Sequence, residues 1–377
     1  MNDVADSLGK AYAFDGPALE LGALVLDNEA HPEARIGMPL SMLNRHGLVA
    51  GATGTGKTKT LQLIAEQLSD NGIAVFLAEI KGDVSGMAAP GVPSDRIAKR
   101  ATDTATDWQP KGFPVEFPNL GGQGGTGLPV RATMTSFGPL LLSKVLGLNE
   151  RQESSLGPVF HFADKAGLPL LEFKDLRAAI SHLTSGEGKA DPEGLGGLSP
   201  ATAGVILREL IGLEDGGGDA FFGEPEFDTH DLLQTTPEGK DVLSVMELLG
   251  LQAGPQLFSA FLMWMLADLL GDLAEMGDVD KPKLVLFFDE AHLLFDGAGK
   301  AFLDAIAQTV RLIRSKGVGV FFVTQTPMDV PSDVLAQLGN RVQPALRAFT
   351  PDDAEALKAT VGTYPTSTVY PDLGELF

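Results

Sequence analysis

The sequence predicts an α/β chain built on a mainly parallel sheet. Three observations carry that expectation. Arg45–Ala50 ends in a short apolar run and enters a glycine-rich loop; the helix beyond it repeats Leu61, Ile64, Ala65 and Leu68 at i, i+3, i+4 and i+7. The apolar runs Ile73–Ile80, Lys283–Glu290 and Val318–Gln325 read as strands buried on both faces, the habit of parallel sheets. Helical stretches separate these runs, as parallel pairing requires.

Taken in order, residues 1–47 read as an N-terminal extension with strand-like pieces such as Leu21–Leu26. Residues 48–135 read as the first part of a nucleotide-binding core. Asn71-Gly72 stops its first helix, and a Gly/Pro-rich stretch holds short strand candidates near Val115 and Val130. Residues 136–250 read as a mostly helical insertion with helices at Pro139–Leu148, Gln152–Ala166, Lys174–Leu183 and Thr202–Leu213. The Gly/acidic loops Ser185–Gly197 and Gly212–Gly223 interrupt it. Residues 251–377 resume the α/β pattern: a long helix Leu257–Glu275, a strand to Glu290, a helix Gly299–Lys316 and a strand to Gln325. A short helix Asp333–Leu338, a strand candidate Arg341–Arg347, a last helical signal at Pro351–Thr360 and a Pro/Thr-rich tail close it.

Composition narrows the function classes. With 44% hydrophobic and 21% charged residues, the 377-residue chain has material for a sizeable core. The absence of cysteine removes disulfides, thiolate metal sites and thiol catalysis, and fits a reducing cytosol. A cytoplasmic place is therefore expected. No signal peptide is visible, and the most apolar segment, Leu257–Leu270, is too short to span a bilayer, so no membrane partner is expected. The 28 Lys and Arg against 50 Asp and Glu give a net charge of −22, which speaks for solubility rather than for a nucleic-acid footprint.

The chemistry begins at Gly51-Ala52-Thr53-Gly54-Thr55-Gly56-Lys57-Thr58, which meets G-x-x-x-x-G-K-[ST] at every specified position. Glycines let successive backbone N–H groups curl around phosphate oxygens. Lys57 is suited to the β- and γ-phosphates, Thr58 to Mg²⁺, and the following helix, through Lys59, turns its positive dipole end to the same anion. Asp289 ends an apolar strand, where a carboxylate can serve Mg²⁺, and Glu290 follows as a general base for the attacking water. Gln325 ends the next apolar strand and can sense the γ-phosphate; a plain polar strand end is the alternative. Arg311 and Arg314, one helical turn apart, and Arg341 are candidates to stabilise transition-state charge, against the plainer reading of solvated helix faces. Lys81 and Asp83 sit at another strand end, as part of the site or as a plain turn. The guanine-reading motif N-K-x-D is missing, which favours ATP.

Together, Gly51–Thr58, Lys81-Gly82-Asp83, Phe288–Leu294, Val310–Gly319, Val323–Pro327, Leu338–Gln343 and Ala345–Pro351 resemble the bacterial HerA-like helicase C-terminal domain proteins, a HerA/FtsK class of P-loop ATPases. The resemblance covers most of the chain from about residue 30. It implies an α/β, RecA-like P-loop NTPase core and a homo-oligomer, a hexameric ring. By the same token Lys57 and Thr58 hold phosphate and Mg²⁺, Asp289 serves Mg²⁺, Glu290 is the base, Gln325 the sensor, and Arg314, then Arg311, the finger offered to a neighbour. Three departures accompany it. The first 47 residues leave no room for an N-terminal β-barrel, Glu79 stands where an Asp is expected, and relatives continue beyond Phe377. Two functions follow: a Mg²⁺-dependent ATPase motor acting on DNA, or an ATP-gated switch that binds a protein partner, hydrolyses slowly and has no DNA role.

Overall fold

The computed structural model describes residues 2–120, 127–186, 198–248, 255–277, 279–296, 298–348 and 350–364. Most of the Ser185–Gly197 loop and the tail beyond 364 lie outside them. Helix α1 (Asn2–Ala11) is followed by an antiparallel hairpin, β1 (Ala18–Leu26) and β2 (Glu29–Pro39). The main sheet then opens with β3 (Gly47–Ala50), helix α2 (Lys57–Asp70) and β4 (Ala74–Glu79). After α3 (Asp95–Asp103) come three two-residue strands, β5 (Val115–Glu116), β6 (Pro118–Asn119) and β7 (Leu128–Pro129).

A helical stretch follows: α4 (Met134–Val145), α5 (Glu150–Lys165), α6 (Phe173–Thr184), α7 (Pro200–Leu213) and the short α8 (Asp219–Phe221). Its helices start where local chemistry tells them to. Asn149 and Gln152 form a reciprocal capping box before α5, and Ser199 caps α7 with Pro200 in its first turn. The chain returns to the sheet in β8 (Leu243–Glu247), which lies inside the 136–250 stretch and pairs with β4 along its whole length. Next come α9 (Pro255–Asp272), β9 (Leu284–Phe288), α10 (His292–Phe295), α11 (Lys300–Ile313) and β10 (Val318–Thr324). The last elements are α12 (Ser332–Leu335), β11 (Asn340–Val342) and α13 (Pro351–Val361). The strand expected at Arg341–Arg347 is thus cut to three residues, because Pro344 has no N–H for the ladder.

Among the described residues the main sheet has nine strands, in the order β11-β3-β10-β9-β4-β8-β6-β7 with β5 also beside β8, and every pairing in it is parallel. Side chains alternate between two packed faces. Phe76, Phe288 and Phe322 meet the layer of α4–α7, α9 and α11; Val75, Phe287 and Phe321 meet α2 and the hairpin through Leu61, Ile64, Leu68 and Leu19. All of these phenylalanines are at most 1% exposed, and each such burial contributes roughly 1.5–3 kcal/mol. Close strand packing depends on Gly47, where an added Cβ would lie 2.1 Å from the Phe321 ring. The middle of helix α9 is enclosed, with Phe258, Phe261, Trp264 and Leu266 buried, while Gln256, Gly271 and Asp272 at its ends are exposed. No helix among the described residues is long and apolar enough to cross a membrane.

What matters for function is that β3 and β4, joined by α2, are not neighbours. β10 and β9, which come more than two hundred residues later, fill the two places between them. The C-terminal ends of β3, β10, β9 and β4 therefore stand side by side, the place where open parallel sheets collect ligands.

Candidate active site

The loop after β3 curls as its glycines demand. Gly54 and Gly56 have φ of 78° and 108°, in the region that L side chains rarely enter. At Gly51 an added Cβ would come within 2.6 Å of Pro344 and 2.8 Å of the Thr55 hydroxyl. The loop is anchored by Gly51 N–H donating to the Thr324 carbonyl (3.1 Å) and Ala52 N–H to that of Ala345 (3.0 Å). Gly56 is the N-cap of α2 and brings no side chain to the first-turn N–H groups, which stay available to an anion. Lys57 Nζ donates to the Gly51 carbonyl at 2.6 Å, across the mouth of the loop. Burial holds its ammonium below the usual lysine range, with the charge of Glu290 opposing. Lys59 points along the helix surface to Gln62 (2.8 Å).

Opposite the loop, β9 ends in Asp289 and Glu290, both buried. Burial pushes the Asp289 carboxyl up to about 6, although the Glu290 N–H donates to its Oδ1 at 2.9 Å. Glu290 turns the chain with φ of 50°, a left-handed conformation that costs a non-glycine residue roughly 1–2 kcal/mol. Its Oε1 accepts from Lys81 Nζ. His292 Nδ1 stands 3.3 Å from Oε2 but off the line of a hydrogen bond, which leaves that buried oxygen without one.

The end of β4 supplies the third side. Asp83 Oδ2 accepts from the Thr58 hydroxyl at 3.3 Å, so the Lys81-Gly82-Asp83 turn touches both the phosphate loop and Glu290. Glu79, fully buried, explains the turn: its Oε2 accepts from Val84 N–H at 2.8 Å and closes the residues between into a loop. Gly82 takes φ of 72° inside it. Gln325 follows β10 on the exposed side, where a capping box fixes its turn. Asp329 Oδ2 accepts from the Thr324 hydroxyl (2.5 Å) and from Thr326 N–H (3.1 Å). Gln325, Asp329, His292 and Phe295 line a cleft of about 560 Å³ beside the acid pair.

The three arginines stand elsewhere. Arg311 and Arg314 are exposed at the C-terminal end of α11, which leads into the start of β10. Seven residues of β10 separate that edge from Gln325, about 23 Å of strand. Neither can reach the phosphate loop of its own chain. Arg341 donates to the Thr363 carbonyl (2.8 Å) and hydroxyl (3.1 Å), and its guanidinium lies 5.4 Å from the Tyr364 ring centroid. It ties β11 to the end of α13. His292 and Asp329 went unnoticed as site residues in the sequence, where only proximity to motif residues could have signalled them; Glu79 was read as a departure from an expected Asp, without its part in the turn.

A family model described as "Helicase HerA-like C-terminal" matches residues 25–375. The chain belongs to the HerA-like helicase C-terminal family. It is a P-loop ATPase of that class, with the RecA-like core that its sheet order displays. No curated protein matches this HerA-like ATPase in sequence. Among solved structures, an unbound form of the bacterial conjugative coupling protein TrwBdeltaN70 is similar with a TM-score of 0.58 and 16% identity, covering 94% of this chain and 78% of that one. VirB4 of Thermoanaerobacter pseudethanolicus gives 0.57 and 16%, covering 93% and 89%. TrwB in complex with ADP and Mg²⁺ gives 0.58 and 16%, covering 95% and 81%. At this identity the likenesses speak for the fold.

Proposed function

We propose that this HerA-like ATPase hydrolyses ATP with Mg²⁺ and uses the cycle as a ring-forming motor. The observation that carries the reading is the sheet order: β3-β10-β9 puts the phosphate loop, Gln325 and the Asp289-Glu290 pair on one edge. The donors suit Mg²⁺. Thr58 and Asp289 offer hard oxygens, and among the described residues no cluster of three or more His, Cys, Asp or Glu could hold a metal alone. Mg²⁺ commonly takes one or two protein oxygens and completes its shell with water and substrate phosphates. When bound it would neutralise charge on the β- and γ-phosphates. TrwB, the structural relative, has been seen with ADP and Mg²⁺, with an ATP analogue and with a GTP analogue.

Within this reading the chain's own groups divide the work. The loop N–H groups and Lys57 hold the phosphates. Glu290 accepts the proton of the attacking water, and Gln325 orients that water. Arg314, with Arg311 beside it, serves the nucleotide of a neighbouring copy, which its distance from its own loop requires. DNA is the proposed track and the cytoplasm the proposed compartment. The acidic balance of −22 favours a second reading, an ATP-gated switch for a protein partner without a DNA role.

Phosphate release from Mg²⁺–ATP by the full chain tests the first step. Lys57→Ala should abolish it, and turnover that survives would sink the assignment. Adding duplex DNA across a salt series separates the two readings. Stimulation that weakens as salt rises supports the motor, because phosphate contacts are salt-dependent. A DNA-independent rate supports the switch.

A further inference from the structure

We propose that Lys81 is a gate on the general base: it holds Glu290 away from water until the 79–84 turn moves. This rests on the reading of Glu290 as the base. A base must present an oxygen to the attacking water. In this conformation neither Glu290 oxygen is presented. Oε1 is covered by the Lys81 ammonium, and Oε2 is buried without a hydrogen bond, 3.3 Å from His292 Nδ1. An oxygen that already accepts from an ammonium has a lone pair engaged and that side closed to a water.

The gate has the parts it needs to open. The Lys81 side chain is 52% exposed, whereas that of Glu290 is 6% exposed, so the lysine can leave without disturbing the core. A second carboxylate lies within electrostatic reach two residues along the same turn, Asp83. Asp83 is itself held by the Thr58 hydroxyl in the phosphate loop. When Thr58 turns to another partner, Asp83 is released to take the ammonium. The same turn thus reads the phosphate loop and sets the base. Glu79, pinned to Val84 N–H, is the fixed end on which the turn pivots. This gives Glu79, in place of the expected Asp, a physical reason: one more methylene to span the turn.

The test is ATPase kinetics of the full chain with Lys81→Met, which removes the ammonium and keeps the stem. The expected result is a kcat raised roughly tenfold, equivalent to about 1.4 kcal/mol at the barrier. KM for ATP and the affinity for Mg²⁺–ADP by calorimetry should stay within about twofold of the parent, a shift under about 0.5 kcal/mol. Lys81→Arg should keep the low rate, and Lys81→Met combined with Glu290→Gln should abolish the gain. An unchanged or lower kcat with Mg²⁺–ADP binding intact overturns the gate. Loss of Mg²⁺–ADP binding by folded Lys81→Met also overturns it, because Lys81 would then belong to the phosphate cradle. Lys81→Gln repeats the test should the Met variant fold poorly. If the parent chain releases no phosphate, or Lys57→Ala releases as much, it is the ATPase reading that fails, and the two failures are told apart.

Discussion

The two edges of the central sheet bury carboxylates on opposite terms. At the N-terminal edge Asp241 is 1% exposed and its Oδ2 accepts from Val75 N–H at 3.0 Å, while its own carbonyl accepts from Ser69 Oγ at 2.6 Å. It fastens the start of β4 to the chain entering β8. At the C-terminal edge Glu79 and Glu290 each keep a buried oxygen with no hydrogen bond. A buried polar atom left unpaired costs roughly 1–3 kcal/mol. Unpaired buried nitrogens occur elsewhere, at His46 Nε2, Arg131 Nε and Trp264 Nε1, but among the described residues the unpaired buried carboxylate oxygens are these two. The contrast teaches that buried charge alone does not mark the site in this protein; buried charge with a spare oxygen does.

Substitutions at the two edges probe this contrast. The largest effect is expected at Arg314. Fingers supplied to a neighbour's nucleotide are worth about 10³-fold or more in turnover. Arg314→Ala should lose activity on that scale, and mixing it with Lys57→Ala should restore part of the rate, because each copy supplies what the other lacks. A monomeric variant with full activity would remove the finger from the account. Gln325→Ala comes next. In the proposed role it would orient water without carrying charge, so a fall of about tenfold in kcat, some 1.4 kcal/mol, with KM little changed is expected from steady-state kinetics. A change in KM alone would make Gln325 a binding residue.

How much of this was legible in the sequence depends on reach. The phosphate loop, Asp289-Glu290 and Gln325 were readable because each sits in a short motif at the end of an apolar run. The parallel sheet was readable for the same reason. β8 was hidden: Leu243–Glu247 lies in the stretch after the helices and carries Ser244 and Glu247, so it lacks the unbroken apolar run of its neighbours. The roles of Lys81 and Asp83 depended on contacts 209 and 25 residues away in sequence, which no local pattern encodes. Arg341 read as a candidate for charge stabilisation, yet its donors are taken by the Thr363 and Leu335 carbonyls.

The smallest effect lies at the other edge. Burial pushes the Asp241 carboxyl up to about 7 from an ordinary 3.8. The ionised form is therefore penalised in the folded state. As pH falls from about 7 toward 4 the folded protein takes up the proton before the unfolded chain does, and this group's contribution to stability rises over that window. Asp241→Asn keeps the acceptor for Val75 N–H and removes the charge. Its Tm should exceed the parent's at pH 8 by on the order of a few °C, and the gain should fade toward pH 5 with ATPase activity unchanged. A Tm gain independent of pH would contradict the origin assigned to the shift.

Glu290→Gln asks whether the spare carboxylate oxygens mark a hydrolytic edge. The measurement is the fate of radiolabelled ATP bound with Mg²⁺ to the full chain. The variant should bind ATP as the parent does and keep it intact, with hydrolysis slowed by about 10²–10⁴-fold, the usual worth of a positioned base. Hydrolysis at the parent rate would show that Glu290 is not the base and that the unpaired oxygen has another cause.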